Sequence, residues 1–390
     1  MKSKFIFFTL SILYSQWEII SAPNNQAISK IFSDNSQIYV ATQSSELYTS
    51  FNDGINWENI PTDGVELFPY GLDLFEKVDN YLFISQNLGE GPYNYRSYYN
   101  GETWEVWEEL PYQSASLQNF LSNNNVIYTV IDGHISKSID YGLSWEIIDI
   151  PDFNGYIKLL FLDHQYLFIS HGCTLYRLSI ANNLCIEITG ILDTTGPDEP
   201  YECTHVSDFH KFNNNLIISM YWYGGVGTLF YSSNQGDVWN LVTSFPSLSN
   251  SGNSQNSISS ITSKNNVLYV GTGSSNGGIF YTENLIQWHE YNEGLESYAI
   301  SVSNLITSSN YIYKTGGVIN TYQRELIQPS LSMGDINFDG EIDVLDIIMI
   351  INFILLIEEP TAIEFNLSDV NLDNQIDILD IIYILNFILE

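Results

Sequence analysis

The sequence predicts an all-β propeller of seven blades followed by a small all-α domain, and three patterns carry that prediction. A turn of the form Ser-x-Asp-x-Gly-x-x-Trp recurs along most of the chain. A short strand of β-branched and aromatic residues recurs seven times beside it. After residue 333, two acidic loops each run into an apolar helix. Self-similarity at a period of roughly 40 to 50 residues is the mark of blades of four strands, each burying its faces against its neighbours.

The turn is clearest at Ser138, Asp140, Gly142 and Trp145. Ser50, Asn52, Gly54 and Trp57 repeat it, as do Ser97, Gly101 and Trp104, then Ser232, Asn234, Gly236 and Trp239; a weaker copy ends at Trp288. Asp or Asn can bond its own turn backbone, Gly supplies a left-handed position, and Trp opens the return strand with a large apolar surface. The second repeat counts the units independently: Gln37–Val40, Tyr81–Ile84, Val126–Thr129, Tyr166–Ile169, Leu216–Ser219, Val267–Val270 and Tyr311–Lys314. Cys185 stands where the fourth unit should carry Trp, and the seventh unit ends near Gln328 without the turn. Trp17-Glu18-Ile19-Ile20 reads like the last strand of a blade, as Trp57-Glu58-Asn59-Ile60 does. It is expected to complete the seventh blade and close the ring.

Lys2 and Lys4 followed by an apolar run from Phe5 to Tyr14 read as a secretory signal ending near Ser15. No later apolar run approaches the 18 or so residues of a membrane helix. A formal charge of −34 argues against nucleic acid and anionic membranes as partners. No Lys or Arg follows Arg324, so the C-terminal segment is acidic without compensation, a composition that suits a cation. The three cysteines Cys173, Cys185 and Cys203 permit one disulfide, but Cys173 and Cys185 read rather as small core residues. The long connections, Gln86–Asn94, Gly190–Cys203, Tyr221–Gly227, Ser247–Ser257 and Gly273–Gly278, fall by topology on one face of a propeller, where binding usually lives.

The strongest chemical pattern is C-terminal. Asp335, Asn337, Asp339, Asp343 and Asp346 place side-chain oxygens at positions 1, 3, 5, 9 and 12 of a loop, with Gly340 at position 6 and Glu341, at position 7, also among the expected ligands. Asp369, Asn371, Asp373, Gln375, Asp377 and Asp380 repeat the arrangement, with Asn374 in place of the Gly. Oxygen donors at this spacing suit calcium, and Asn tolerates the left-handed turn better than most residues. Apolar helices are expected over Ile347–Leu356 and Ile381–Leu389.

The repeated turn resembles the Asp-box of sialidase-like and sortilin-like propellers. Sialidases hold a substrate carboxylate with three arginines and use a Tyr nucleophile paired with Glu. Here the arginines are Arg96, Arg177 and Arg324, two of them on third strands toward the rim, and no Arg-Ile-Pro motif is present; sialidase activity is not expected. The paired loops, with Asp at position 12 and one helix after each, resemble the type I dockerin domain over Gly334–Glu390. That likeness implies two calcium sites, a cohesin-like or other protein partner, and an extracellular or cell-surface bacterial setting. Positions 10 and 11, polar in dockerins of cellulose-degrading assemblies, hold Val344-Leu345 and Ile378-Leu379.

The organisation expected is therefore a signal over 1–15, a propeller over 16–328, a linker over 329–333 and a calcium-binding module over 334–390. The function expected is a secreted, non-catalytic propeller that presents a binding face to a glycan or protein and is docked through calcium. The alternative is a glycoside hydrolase using Asp198, Glu199, Glu202 or Asp208, with Tyr201, Tyr221, Trp222 and Tyr223 to stack on sugar rings.

Overall fold

The computed structural model describes residues 16–34, 37–87, 92–98, 101–106, 120–123, 125–131, 133–148, 150, 157–190, 203–222, 227–246, 257–273, 277–316, 320–327, 333–337, 342–357, 359–360 and 362–389. The segment expected to be a signal, residues 1–15, lies outside the described residues, as do most of the long connections.

Seven antiparallel sheets of four strands follow one another around a ring. Blade 1 consists of Ile28–Asp34, Gln37–Thr42, Leu47–Ser50 and Glu58–Ile60. Blades 2 to 6 begin with Leu74–Val78, Leu121–Asn123, Ile157–Leu162, Cys203–Phe212 and Ile258–Lys264. Blade 7 is built from Asn304–Thr307, Tyr311–Thr315 and Tyr322–Glu325, and Glu18–Ile19 supplies its fourth strand. Glu18 pairs with Gln323 and Ile19 with Tyr322, so the first strand of the described chain closes the ring, as its likeness to the other return strands predicts. The buried Trp17 indole lies edge-on to Tyr291 and donates to that residue's carbonyl at 2.5 Å.

First strands touch first strands around the axis, in the pairs 1 with 2, 3 with 4, 4 with 5, 5 with 6, 6 with 7 and 7 with 1. The second strands carry the buried interior, including Tyr39, Phe83, Tyr128, Phe168, Ile217, Tyr269 and Tyr313. A β-branched or aromatic residue there packs between blades on both sides, which is why these seven segments alone count the blades.

The repeated turns are built alike. Ser50 Oγ lies 3.1 Å from Asn52 Oδ1 and accepts from the Gly54 amide at 2.9 Å, and Asn52 Oδ1 accepts from the Asn56 amide at 2.9 Å. The same three contacts recur at Ser138, Asp140, Gly142 and Ser144, and at Ser232, Asn234, Gly236 and Val238. Three of the Trp residues donate the indole N–H to the preceding blade: Trp57 to the Ser21 carbonyl, Trp104 to Pro61 and Trp239 to Ile188. Gly101 shows why its position is closed to other residues. A Cβ there would sit 2.5 Å from Ile60 Cγ2 and 2.7 Å from the Pro61 oxygen, on a backbone at φ +79°.

Blade 4 corrects the reading of the cysteines. Cys173 is disulfide-bonded, whereas Cys185, at the start of the fourth strand where Trp stands elsewhere, is free and half-buried. Cys173 lies in the tight turn between the second and third strands, partly buried against the core that holds Phe168 and Leu175.

After the propeller come α1 (Val344–Ile354), α2 (Ala362–Ser368) and α3 (Ile378–Leu389). Both long helices begin three residues before the expected start, because the last Asp of each loop already lies in the first helical turn. The short α2 is an addition to the expected pair. Ile336, Ile347, Ile350, Phe353, Leu367 and Ile384 form the module's small core.

Candidate functional site

The two acidic loops place one carboxylate each where backbone donors converge. Asp346 is fully buried; its Oδ1 accepts from the amides of Ile336 at 2.7 Å and Asn337 at 3.1 Å, and its Oδ2 from Asp343 at 2.9 Å. Asp343 Oδ1 in turn accepts from the Leu345 amide at 2.7 Å, which completes a capping box at the start of α1. Loop two repeats the scheme: Asp380, also fully buried, accepts from Asn371 and Asp377, and Asp377 accepts from Leu379. Position 12 therefore ties the loop to the helix dipole and to the loop's own start.

At the other end of loop two, Asp369 is buried and accepts from the amides of Asp373 at 3.0 Å and Asn374 at 2.8 Å. Asn374 adopts φ +65°, the left-handed turn expected of it. Asn371 bridges to Asp373, and Asp373 accepts from the Gln375 amide. Asp335, at position 1 of loop one, is buried. Asp339 and Glu341 lie outside the described residues. Among the described residues no three His, Cys, Asp or Glu side chains converge as a metal-ligating group. The donor set itself fits a hard cation: buried carboxylates on short loops, with amide oxygens between them, are costly without a positive charge.

The two helices expose apolar side chains in matched pairs 34 residues apart. Val344 and Ile378 are 59% and 66% exposed, Ile348 and Ile382 48% and 46%, and Leu345, Leu379, Ile351 and Leu385 follow the same rule. Phe353 and Phe387 break it, the first buried in the core and the second exposed. So much apolar surface on a small acidic module marks an interaction face.

A second site lies on the propeller axis. A cavity of about 410 Å³ is lined by the first strands of blades 1, 2, 3, 4, 5 and 7 near their N-terminal ends, with Thr315 at the end of a second strand. By topology this is the face that carries the connections between blades and between second and third strands, the same face as the long insertions. Lys30, Asp73, Glu76, Lys158 and Asp208 bring charge to it and Ser29, Ser303, Asn304 and Thr315 add polar groups, whereas Phe75 and Phe209, which border it, are buried in the cores between blades. Glu76 is partly reached by solvent through the cavity, yet protein surrounds it on every other side. That low-dielectric setting pushes its carboxyl up to about 7, and the positive charge of Lys30 opposes the shift.

Asp208 is the one acid of the proposed hydrolase cluster that the structure describes, and it is not a solvated surface residue. Its Oδ1 accepts from the Phe209 amide at 2.8 Å and its Oδ2 from Ile261 in blade 6 at 2.6 Å. Burial raises its carboxyl to about 6, against those two bonds and Lys158. It staples blade 5 to blade 6 at a bulge in the first strand. Asp198, Glu199, Glu202 and Tyr201 lie outside the described residues, as does Tyr223. Lys158 donates to the Ser207 carbonyl at 2.6 Å. None of Lys30, Asp73, Glu76 or Lys158 stands out in the sequence, because each sits alone on an ordinary strand and only ring closure gathers them.

The arginines serve the scaffold. Arg96 donates to the Tyr141 carbonyl and Arg177 to Gln235, in each case the left-handed residue of the next blade's turn. Arg324 stacks on Tyr291 at 3.6 Å and pairs with Glu293 at 2.6 Å. None is left for a three-arginine carboxylate clamp.

Residues 333–389 match the family model of the dockerin type I domain. Such domains bind calcium, and the match implies a cohesin-type protein partner. The whole is thus a seven-bladed all-β propeller with a small helical dockerin region at its C-terminal end. No curated protein matches the chain. Among solved structures, YCF48 bound to D1 peptide is similar at 15% identity and a TM-score of 0.58, over 80% of this chain and 98% of that one. Virginiamycin B lyase from Staphylococcus aureus is similar at 12% identity and a TM-score of 0.56, over 80% and 99%. A GH74 enzyme from Niastella koreensis is similar at 18% identity and a TM-score of 0.50, over 74% of this chain and 50% of that enzyme. At these identities the likeness is one of fold, which a peptide-bound protein and two enzymes share. Among the described residues no helix is long and apolar enough to cross a membrane.

Proposed function

We propose that the protein is an exported, non-catalytic binding propeller, docked to a cohesin-type scaffold or surface protein through two calcium-supported loops. The observation that carries this reading is the module itself: duplicated acidic loops, each feeding a helix with the same exposed apolar face. Asp335, Asn337, Asp339, Glu341, Asp343 and Asp346 would hold one calcium ion, and Asp369, Asn371, Asp373, Gln375, Asp377 and Asp380 the other. Calcium supplies the positive charge that lets these oxygens face one another; the chain's part is to fix the direction in which each helix leaves its loop.

The Asn266 side chain, in the short turn between the first two strands of blade 6, donates to the Asn337 carbonyl of loop one at 2.8 Å. That contact supports a division of labour, with the module at the short-turn face and the long-connection face left for a ligand. A disulfide at Cys173 suits an oxidising, exported setting. The apolar residues at loop positions 10 and 11 favour a partner with an apolar contact surface over one read through polar side chains.

The test is capture of the full chain by immobilised cohesin domains in calcium and in EDTA, beside a glycan panel with the same protein. Capture in calcium, its loss in EDTA, and its loss in the double variant Ile348→Glu with Ile382→Glu are expected. Failure of every cohesin to bind, or turnover of a glycan, contradicts the reading.

A further inference from the structure

The chain leaves the propeller pinned to one hairpin of blade 6. Leu326 is buried and its amide donates to the Asn310 carbonyl at 2.9 Å; the amide of Ile327, which packs on the core around Trp17, donates to the Tyr269 hydroxyl at 2.9 Å. Tyr269 stands near the start of the second strand of blade 6, just past the turn that joins it to the first. Residues 328–332 alone separate this pin from Met333, so the module's first residue stands within roughly 20 Å of it. A tether so short keeps any contact between module and hairpin at an effective concentration of millimolar order.

That hairpin reaches the module. Its turn residues Asn265 and Asn266 are both left-handed, at φ +53° and +55°, and the flanking Lys264 and Val267 pair directly, the tight two-residue form that fixes where the turn's side chains lie. Asn125 occupies the same place in blade 3 and donates to the Ile139 carbonyl in its own blade's repeated turn, at 3.2 Å. Asn266 donates instead to the Asn337 carbonyl, at 2.8 Å. Asn337 is position 3 of loop one, and its amide donates to Asp346 Oδ1 at 3.1 Å, so its backbone is held from both sides. Asn371, position 3 of loop two, donates its amide to Asp380 at 3.3 Å in the same way, but among the described residues it makes no bond to the propeller.

From this asymmetry we propose that the blade 6 hairpin is a docking post for loop one, and that docking makes the two repeated calcium sites unequal, the first binding more tightly than its own residues alone provide. A loop must be ordered before its oxygens converge on an ion, and that ordering opposes binding. Asn266 fixes the backbone of position 3 in advance, which lowers the ordering left to be done at loop one and not at loop two. The coupling is reciprocal: a loop one ordered around its ion presents the Asn337 carbonyl to Asn266 and holds the module at the short-turn face. The net worth of one hydrogen bond sets the size of the effect, about two- to tenfold in calcium affinity.

The inference rests on the reading that both loops hold calcium. The experiment is calorimetric titration of the full chain with calcium in an Asp380→Ala background, which leaves loop one, and in an Asp346→Ala background, which leaves loop two, each with and without Asn266→Gly. Gly adopts the left-handed turn without strain, so the substitution removes the donor and keeps the hairpin, which the propeller's melting temperature checks. Asn266→Asp keeps the size and turn preference of Asn but sets a carboxylate against the Asn337 carbonyl, and should act in the same direction. Both Asn266 variants are expected to weaken calcium at loop one by about two- to tenfold and to leave loop two unchanged. In the chain with both loops intact, one calcium step should weaken by that factor while the other holds, which decides the matter if a single-site chain does not fold. Unchanged affinity at loop one, or an equal loss at both loops, would overturn the proposal; a wild-type chain that binds no calcium would overturn the reading beneath it as well.

Discussion

Glu76 shows what one residue can reveal about a ring. On its strand it is an unremarkable acid between Phe75 and Lys77; only closure of six first strands around it shields the carboxyl and raises it to about 7. The sign of its effect on stability follows. Its folded value lies above its unfolded one, so between roughly pH 4.5 and 7 the native state binds more protons than the unfolded chain, and stability falls as pH rises across that window. Glu76→Gln removes the penalty. Thermal melts are expected to show the variant more stable than wild type above pH 7 and level with it below about pH 4.5; a variant destabilised at high pH would show that the ionised carboxylate is held by partners the structure does not give it. Asp208 is the residue the sequence misleads on. Beside a run of acids it reads as surface, yet its two oxygens close the seam between blades 5 and 6.

Elements were legible to the degree that their residues act locally. The turns at Ser50, Ser138 and Ser232 declare themselves because Ser, Asn or Asp, Gly and Trp bond within eight residues or to the blade just before. The closing strand was legible because Trp17-Glu18-Ile19-Ile20 repeats the wording of other return strands. Helix α2 was not, because seven residues make only about two turns, too short a window for a helical period to stand out. Nor was the disulfide at Cys173, since pairing depends on which turns the ring brings together. Deletion of residues 16–20 removes the buried Trp17 and Ile20 and unpairs Tyr322 and Gln323. Loss of a buried Trp alone costs about 3 to 5 kcal/mol. Calorimetry should therefore show a lower propeller melting temperature in the deletion, and an unchanged one would mean that the ring is closed without that strand.

At the scale of the whole molecule, the chain joins a scaffold that holds itself to a module that needs help. The propeller is locked by seven aromatic-rich interiors and by indole, arginine and Asp208 ties between blades, none of which involves the acidic loops. The module has a core of six buried apolar residues, two fully buried carboxylates in Asp346 and Asp380, and long helices whose apolar residues are more often exposed than buried. Such a core is too small to hold buried negative charge without a cation. Its motif was legible residue by residue because loop ligands must follow one another closely in sequence; the axial cavity was not, because its residues come from six blades. The account rests most on calcium being part of the module's fold. Hydrogen exchange on the full chain, in calcium and in EDTA, with wild type beside Asp346→Ala and Asp380→Ala, tests this directly. The amides of Val344–Ile354 and Ile378–Leu389 should be protected in calcium and exposed in EDTA, with one site lost in each variant, while Leu216–Ser219 and Val267–Val270 stay protected throughout. Helix protection indifferent to calcium would contradict it.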